Sequence, residues 1–89
     1  MKVLIIDDEA LKADYIRRAV EENLLGSDVD TFSYACDAIA ACKEKEYDLF
    51  ITDMHYKIRN GESINSDAGL IFIRKIRKMS NKPIIVFLS

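Results

Sequence analysis

Charge of one sign is scarce in this chain. Thirteen Lys and Arg face fifteen Asp and Glu, a formal net charge of −2 over 89 residues. So balanced a surface raises no field favouring nucleic acid or an acidic membrane as partner. The densest basic group, Arg74, Lys75, Arg77 and Lys78, reads as a solvated helix face. Cysteine is scarce too. Cys36 and Cys42 are the only two. At that spacing they point to different sides of a helix, match no metal motif and cannot bridge each other. Reduced, structural thiols in the cytoplasm are expected. No apolar run approaches the length that spans a bilayer. Met1-Lys2 leads into an apolar run too short for a signal peptide. Repeats and low-complexity linkers are also lacking. One small domain over residues 1–89, cytoplasmic and not in a membrane, is the expectation.

What is present is an alternation of patterns. Residues 3–6 are uniformly apolar, as in a strand covered on both faces. Residues 10–25 then switch to helical spacing. Ala13, Ile16, Val20 and Leu24 form one side with Ala19 beside them, and Lys12, Arg17, Arg18, Glu21 and Glu22 form the other. Gly26 ends the helix. A weaker strand is expected at residues 29–33 and a helix at 35–45, with Ala35, Ala38, Ile39 and Cys42 inward. A third strand follows at 49–52. Residues 55–67 are polar and long for a strand-to-helix connection. A helix from Asp67 or Ala68 to Met79 carries Leu70, Ile73 and Ile76, with Phe72 and Met79 alongside, and Asp67 as N-cap. After a turn at residues 80–83 comes an apolar fourth strand, 84–88. The order β-α-β-α-β-α-β implies an α/β fold with parallel strands, right-handed crossovers and helices on both faces.

The acids stand out against this frame. "VLIIDDE" (residues 3–9) runs four apolar residues into three carboxylates, and the third strand also ends in an acid, Asp53. In such sheets ligands sit beyond the carboxyl ends of the strands. If strands one and three are neighbours, Asp7, Asp8 and Asp53 converge there, and their mutual repulsion requires a cation. An all-oxygen donor set favours Mg²⁺ or Mn²⁺. One of the acids could then accept a phosphoryl group. The competing view is that Asp8 or Glu9 caps the first helix and Asp53 is a loop acid.

"VLIIDDE" followed by a helix and then "YDLFITD" resembles the response-regulator receiver domain of two-component signalling. "GLIFIRKIRK" and "KPIIVFLS" are similar to that family's third helix and fourth strand. The resemblance implies a flavodoxin-like sheet of order 2-1-3-4 and a signalling module rather than an enzyme. It implies Asp53 as phosphoacceptor, fed by a histidine kinase or phosphotransfer protein. Asp8, Asp53 and the backbone carbonyl of His55 would ligate Mg²⁺ or Mn²⁺, with Asp7 acting mainly through water. Ser89 is the candidate switch hydroxyl, although the family's spacing counted from Pro83 lands on Leu88.

Two further departures from the family pattern matter. The interval from Asp53 to Gly69 is about twice the usual one, which suggests a lid over the site. The family's last helix-strand-helix, with its lysine and aromatic residue, has no counterpart in these 89 residues. The fourth strand would then be an exposed apolar edge, and a homodimer through that strand or the uncovered sheet face is expected. Two further functions compete with the phosphorylated receiver. One is a degenerate receiver serving as an interaction module. The other is an aspartate phosphohydrolase, which would want a D-x-D spacing where this chain has Asp7-Asp8.

Overall fold

The computed structural model describes residues 1–79 and 84–88. Four strands and three helices alternate: β1 (Lys2–Ile6), α1 (Ala10–Asn23), β2 (Asp28–Phe32), α2 (Ala35–Glu44), β3 (Leu49–Thr52), α3 (Ala68–Met79) and β4 (Ile84–Phe87). The sheet is parallel throughout, in the order β2-β1-β3-β4. This is the expected flavodoxin-like order. β1 and β3 are central neighbours because their apolar runs tolerate cover on both faces. The turn expected at residues 80–83 lies outside the described residues.

Alternating side chains divide the core into two layers. Leu4, Ile6 and Phe50 pack under α2 and α3 with Ala35, Ala38, Phe72, Ile73 and Ile76. Val3, Ile5 and Ile51 face α1 with Val20. Right-handed crossovers in this strand order demand that division, α1 on one face and α2 with α3 on the other.

Two helical stripes differ from expectation. α1 ends at Asn23, and Leu24 is exposed in the turn that Gly26 completes at φ +80°. In α3 the inward stripe is Gly69, Phe72, Ile73 and Ile76, an i, i+3, i+4, i+7 set, while Leu70 is 40% exposed. The glycine supplies the top of that stripe, which a hydrophobicity pattern cannot register.

The segment between β3 and α3 is anchored rather than a free lid. Tyr56 is fully buried in the α2–α3 layer. Single bridges join Tyr34 to Lys57 and Tyr56 to Asn65. The first two N–H groups of α2 would otherwise lack partners. They donate to loop carbonyls instead, Ala35 to Lys57 at 3.2 Å and Cys36 to Ile58 at 2.9 Å. At the far end the Asn65 side chain accepts from Asp67 N–H at 2.8 Å. The Asp67 carbonyl accepts the first helical bond of α3 from Ile71.

Candidate metal and phosphoryl site

In the β1–β3 pair Ile6 lies level with Thr52, so the residues that follow leave the same sheet edge together. The ladder runs one step past both strands. Asp7 N–H donates to the Phe32 carbonyl at 3.0 Å, and Asp53 N–H to the Ile6 carbonyl at 3.1 Å. Both acids are therefore rooted in the sheet. Asp7, Asp8 and Asp53 each bring a carboxylate oxygen within 4.8 Å of the others.

Their surroundings differ. Asp7 is 3% exposed. Its Oδ1 accepts from Glu9 N–H at 2.9 Å, and its Oδ2 lies 3.2 Å from Lys12 Nζ. Asp53 is half-buried. Its Oδ1 accepts from Met54 N–H at 2.6 Å, and its Oδ2 lies 3.5 Å from the same Lys12 Nζ. Asp8 is the exposed member. Glu9 sits at the N-cap of α1 but makes no side-chain bond to the helix. Capping by Glu9 therefore does not explain the cluster.

Lys12 corrects the sequence reading, which put it on the solvent side of α1. It is in the first turn, directly above the sheet edge, and its ammonium reaches in between Asp7 and Asp53. Partial burial works against its charge, but the hydrogen bond and attraction from Asp7, and then Asp53, outweigh this and raise its pKa. A helical wheel separates core from solvent; it does not reveal the ends of the sheet.

The floor of the site was also hidden in the sequence. Thr52 is buried, and its hydroxyl donates to the Asp53 carbonyl at 2.8 Å and meets the Tyr56 hydroxyl at 3.0 Å. Tyr56 Oη in turn reaches the Ala68 carbonyl at 3.4 Å. Burial pushes the Tyr56 hydroxyl up to about 12, so it remains a neutral donor. α3 closes against the same point: Gly69 N–H donates to the Met54 carbonyl at 3.1 Å. A Cβ at Gly69 would lie 2.7 Å from the Asp53 carbonyl oxygen. His55 is exposed, with ring Nδ1 2.9 Å from the Ser66 carbonyl. Ser89, the candidate switch hydroxyl, lies outside the described residues.

The family model for the response regulator receiver domain matches residues 3–89. This chain belongs to the response regulator receiver domain family. A receiver domain of this family is a signalling module that works with histidine kinases or phosphotransfer proteins, and the family generally binds Mg²⁺ in an acidic pocket. Among curated proteins, the Detocs response regulatory protein DtcB of Enterobacter cloacae is 30% identical over 87 residues. That alignment takes in 96% of this chain and 54% of the relative, so the receiver domain here spans about half the relative's length. Among solved structures, the chemotaxis response regulator CheY4 of Vibrio cholerae superposes with a TM-score of 0.79 at 19% identity. It covers 97% of this chain and 65% of its own, a likeness of fold. No helix among the described residues is long and apolar enough to cross a membrane.

Proposed function

We propose that this receiver domain takes a phosphoryl group onto Asp53 with a divalent cation, Mg²⁺ or Mn²⁺, held at Asp7, Asp8 and Asp53. The observation that carries the reading is the division of labour between the two oxygens of Asp53. Oδ1 is occupied by the Met54 N–H. Oδ2 points to the cation-bearing side of the pocket, toward Lys12. Oδ2 is therefore the oxygen available to attack phosphorus. In transfer from a phosphohistidine, the new O–P bond forms at Oδ2 while the P–N bond breaks, and the imidazole leaves with its electron pair. The donor is a histidine kinase or phosphotransfer protein.

The donor set fits a hard cation. Three carboxylates converge, all ligand atoms are oxygen, and an ammonium already lies between two of them. When bound, the ion neutralises charge on the phosphoryl oxygens. Asp8, exposed and without a competing contact to Lys12, is the natural point of entry, and the His55 carbonyl is a further candidate ligand. The buried Thr52 hydroxyl and Gly69 hold the backbone at Asp53, so the nucleophile is positioned before any donor arrives.

Incubation with acetyl phosphate and Mg²⁺ tests the proposal. Intact mass should rise by one phosphoryl group, and Asp53→Asn should abolish the rise. Labelling that survives this substitution, or that is unaffected by removing Mg²⁺, would overturn the assignment.

A further inference from the structure

We infer that Lys12 is a resident counter-ion of the acid pocket, which the divalent ion must displace, and that it thereby sets how much metal the domain requires. The inference rests on reading Asp7, Asp8 and Asp53 as the metal site, and it adds a residue that this reading does not contain.

The local energetics of α1 do not account for a lysine at this position. A cation in the first turn opposes the helix dipole, and that turn has no acid of its own to offset it. What holds the ammonium is the pocket: Asp7 Oδ2 at 3.2 Å and Asp53 Oδ2 at 3.5 Å. Both are carboxylates that the metal would use. No other lysine or arginine forms an ion pair with these acids among the described residues. Without metal, Lys12 is thus the cation paired with Asp7, a carboxylate that is almost fully enclosed.

The same contact becomes a penalty once metal arrives. Lys12 then loses two partners and faces a doubly charged neighbour across a few ångströms. Its side chain is one-third exposed, and an ammonium on a four-carbon stem can turn out to water without disturbing the helix. Metal binding is accordingly an exchange of one cation for another on shared oxygens. Removing the charge at position 12 removes the competitor. A unit charge next to a divalent ion at this range corresponds to tighter binding on the order of tenfold or more.

Mn²⁺ and Mg²⁺ titrations followed by NMR provide the test, on the unmodified chain, Lys12→Met, Lys12→Gln, Lys12→Arg and Asp8→Asn. Both neutral variants should bind metal about tenfold more tightly. Lys12→Arg keeps the charge and should stay within a few-fold of the parent, and Asp8→Asn should bind weakly. Acylation of Lys12 in the unmodified chain, followed by peptide mass, gives a second readout that needs no variant to fold. The Lys12 amine should react faster as metal saturates the site and drives it into solvent. Unchanged affinity in the neutral variants, with Asp8→Asn still impaired, would overturn the role of Lys12 and leave the metal site standing. An acylation rate indifferent to metal would do the same. No binding to the parent or the neutral variants at millimolar metal would remove the metal site and this proposal with it.

Discussion

Gly69 carries a constraint out of proportion to its size. A methyl group there meets the Asp53 carbonyl oxygen at 2.7 Å, Met54 Cα at 3.1 Å and Phe87 Cε1 at 3.2 Å. Two of these three are backbone, and the backbone in question bears the candidate phosphoacceptor. Gly69→Ala must therefore push α3 away or shift residues 53 and 54. Overpacking of this kind costs about 1–3 kcal/mol. Urea unfolding should show a lower midpoint, and backbone NMR shifts should move at Asp53 and Met54 more than in β1. This requirement could not be deduced from hydrophobic patterning, in which a glycine is merely the residue before Leu70. Asp7, Asp8 and Asp53 were legible because acids ending two apolar runs are conspicuous. Lys12 was not, because its partners come from two strands that only the folded sheet brings together.

Among the elements, β2 and α2 are tied at the edge of the sheet opposite the acid pocket. Lys45 Nζ lies 2.7 Å from Asp28 Oδ2 and 3.0 Å from Asp30 Oδ2, and the Tyr47 hydroxyl donates to Asp30 Oδ2 at 2.5 Å. The Tyr47 hydrogen bond, then the Lys45 ammonium, hold the Asp30 carboxyl below its ordinary value. A group whose pKa is lowered by folding contributes stability above its unfolded value and loses that contribution as pH falls through the folded value. Asp30→Asn should thus reduce stability near neutral pH. The gap to the parent should narrow as pH drops from about 4 toward 2, which urea midpoints across that range would reveal. The elements themselves were readable from the sequence almost to the residue, since strands here are short uniform apolar runs and helices have clear stripes. The segment 53–67 was not, because a single buried tyrosine in a polar stretch has no periodicity to betray it.

At the scale of the whole molecule, β4 is the informative surface. Among the described residues it pairs only with β3, and Ile84 is 59% and Val86 40% exposed on the α1 side of the sheet. Phe87 projects to the other side, where it lines a shallow surface groove together with Leu70, Ile73 and Ile85. An apolar strand with a free edge is a template for pairing with another chain. The polypeptide of residues 1–89 should self-associate through β4, most simply as a two-fold dimer burying about 1,000 Å² or more. Sedimentation at micromolar concentration should show a dimer, and Val86→Lys should give a monomer or an unfolded chain. A folded, monodisperse monomer of the unmodified 89 residues would show that this edge is tolerated unpaired.

The two bonds from Ala35 and Cys36 to the carbonyls of Lys57 and Ile58 have a consequence for timing. Those two amides can swap their protons for deuterons only when residues 57 and 58 lift from the end of α2. The amides of β1, enclosed on both sides, must wait for much larger openings. The start of α2 is therefore a clock for the segment that begins at Asp53. It keeps its own time, apart from the unfolding of the sheet, and any chemistry at Asp53 that loosens or tightens the segment is written into its rate.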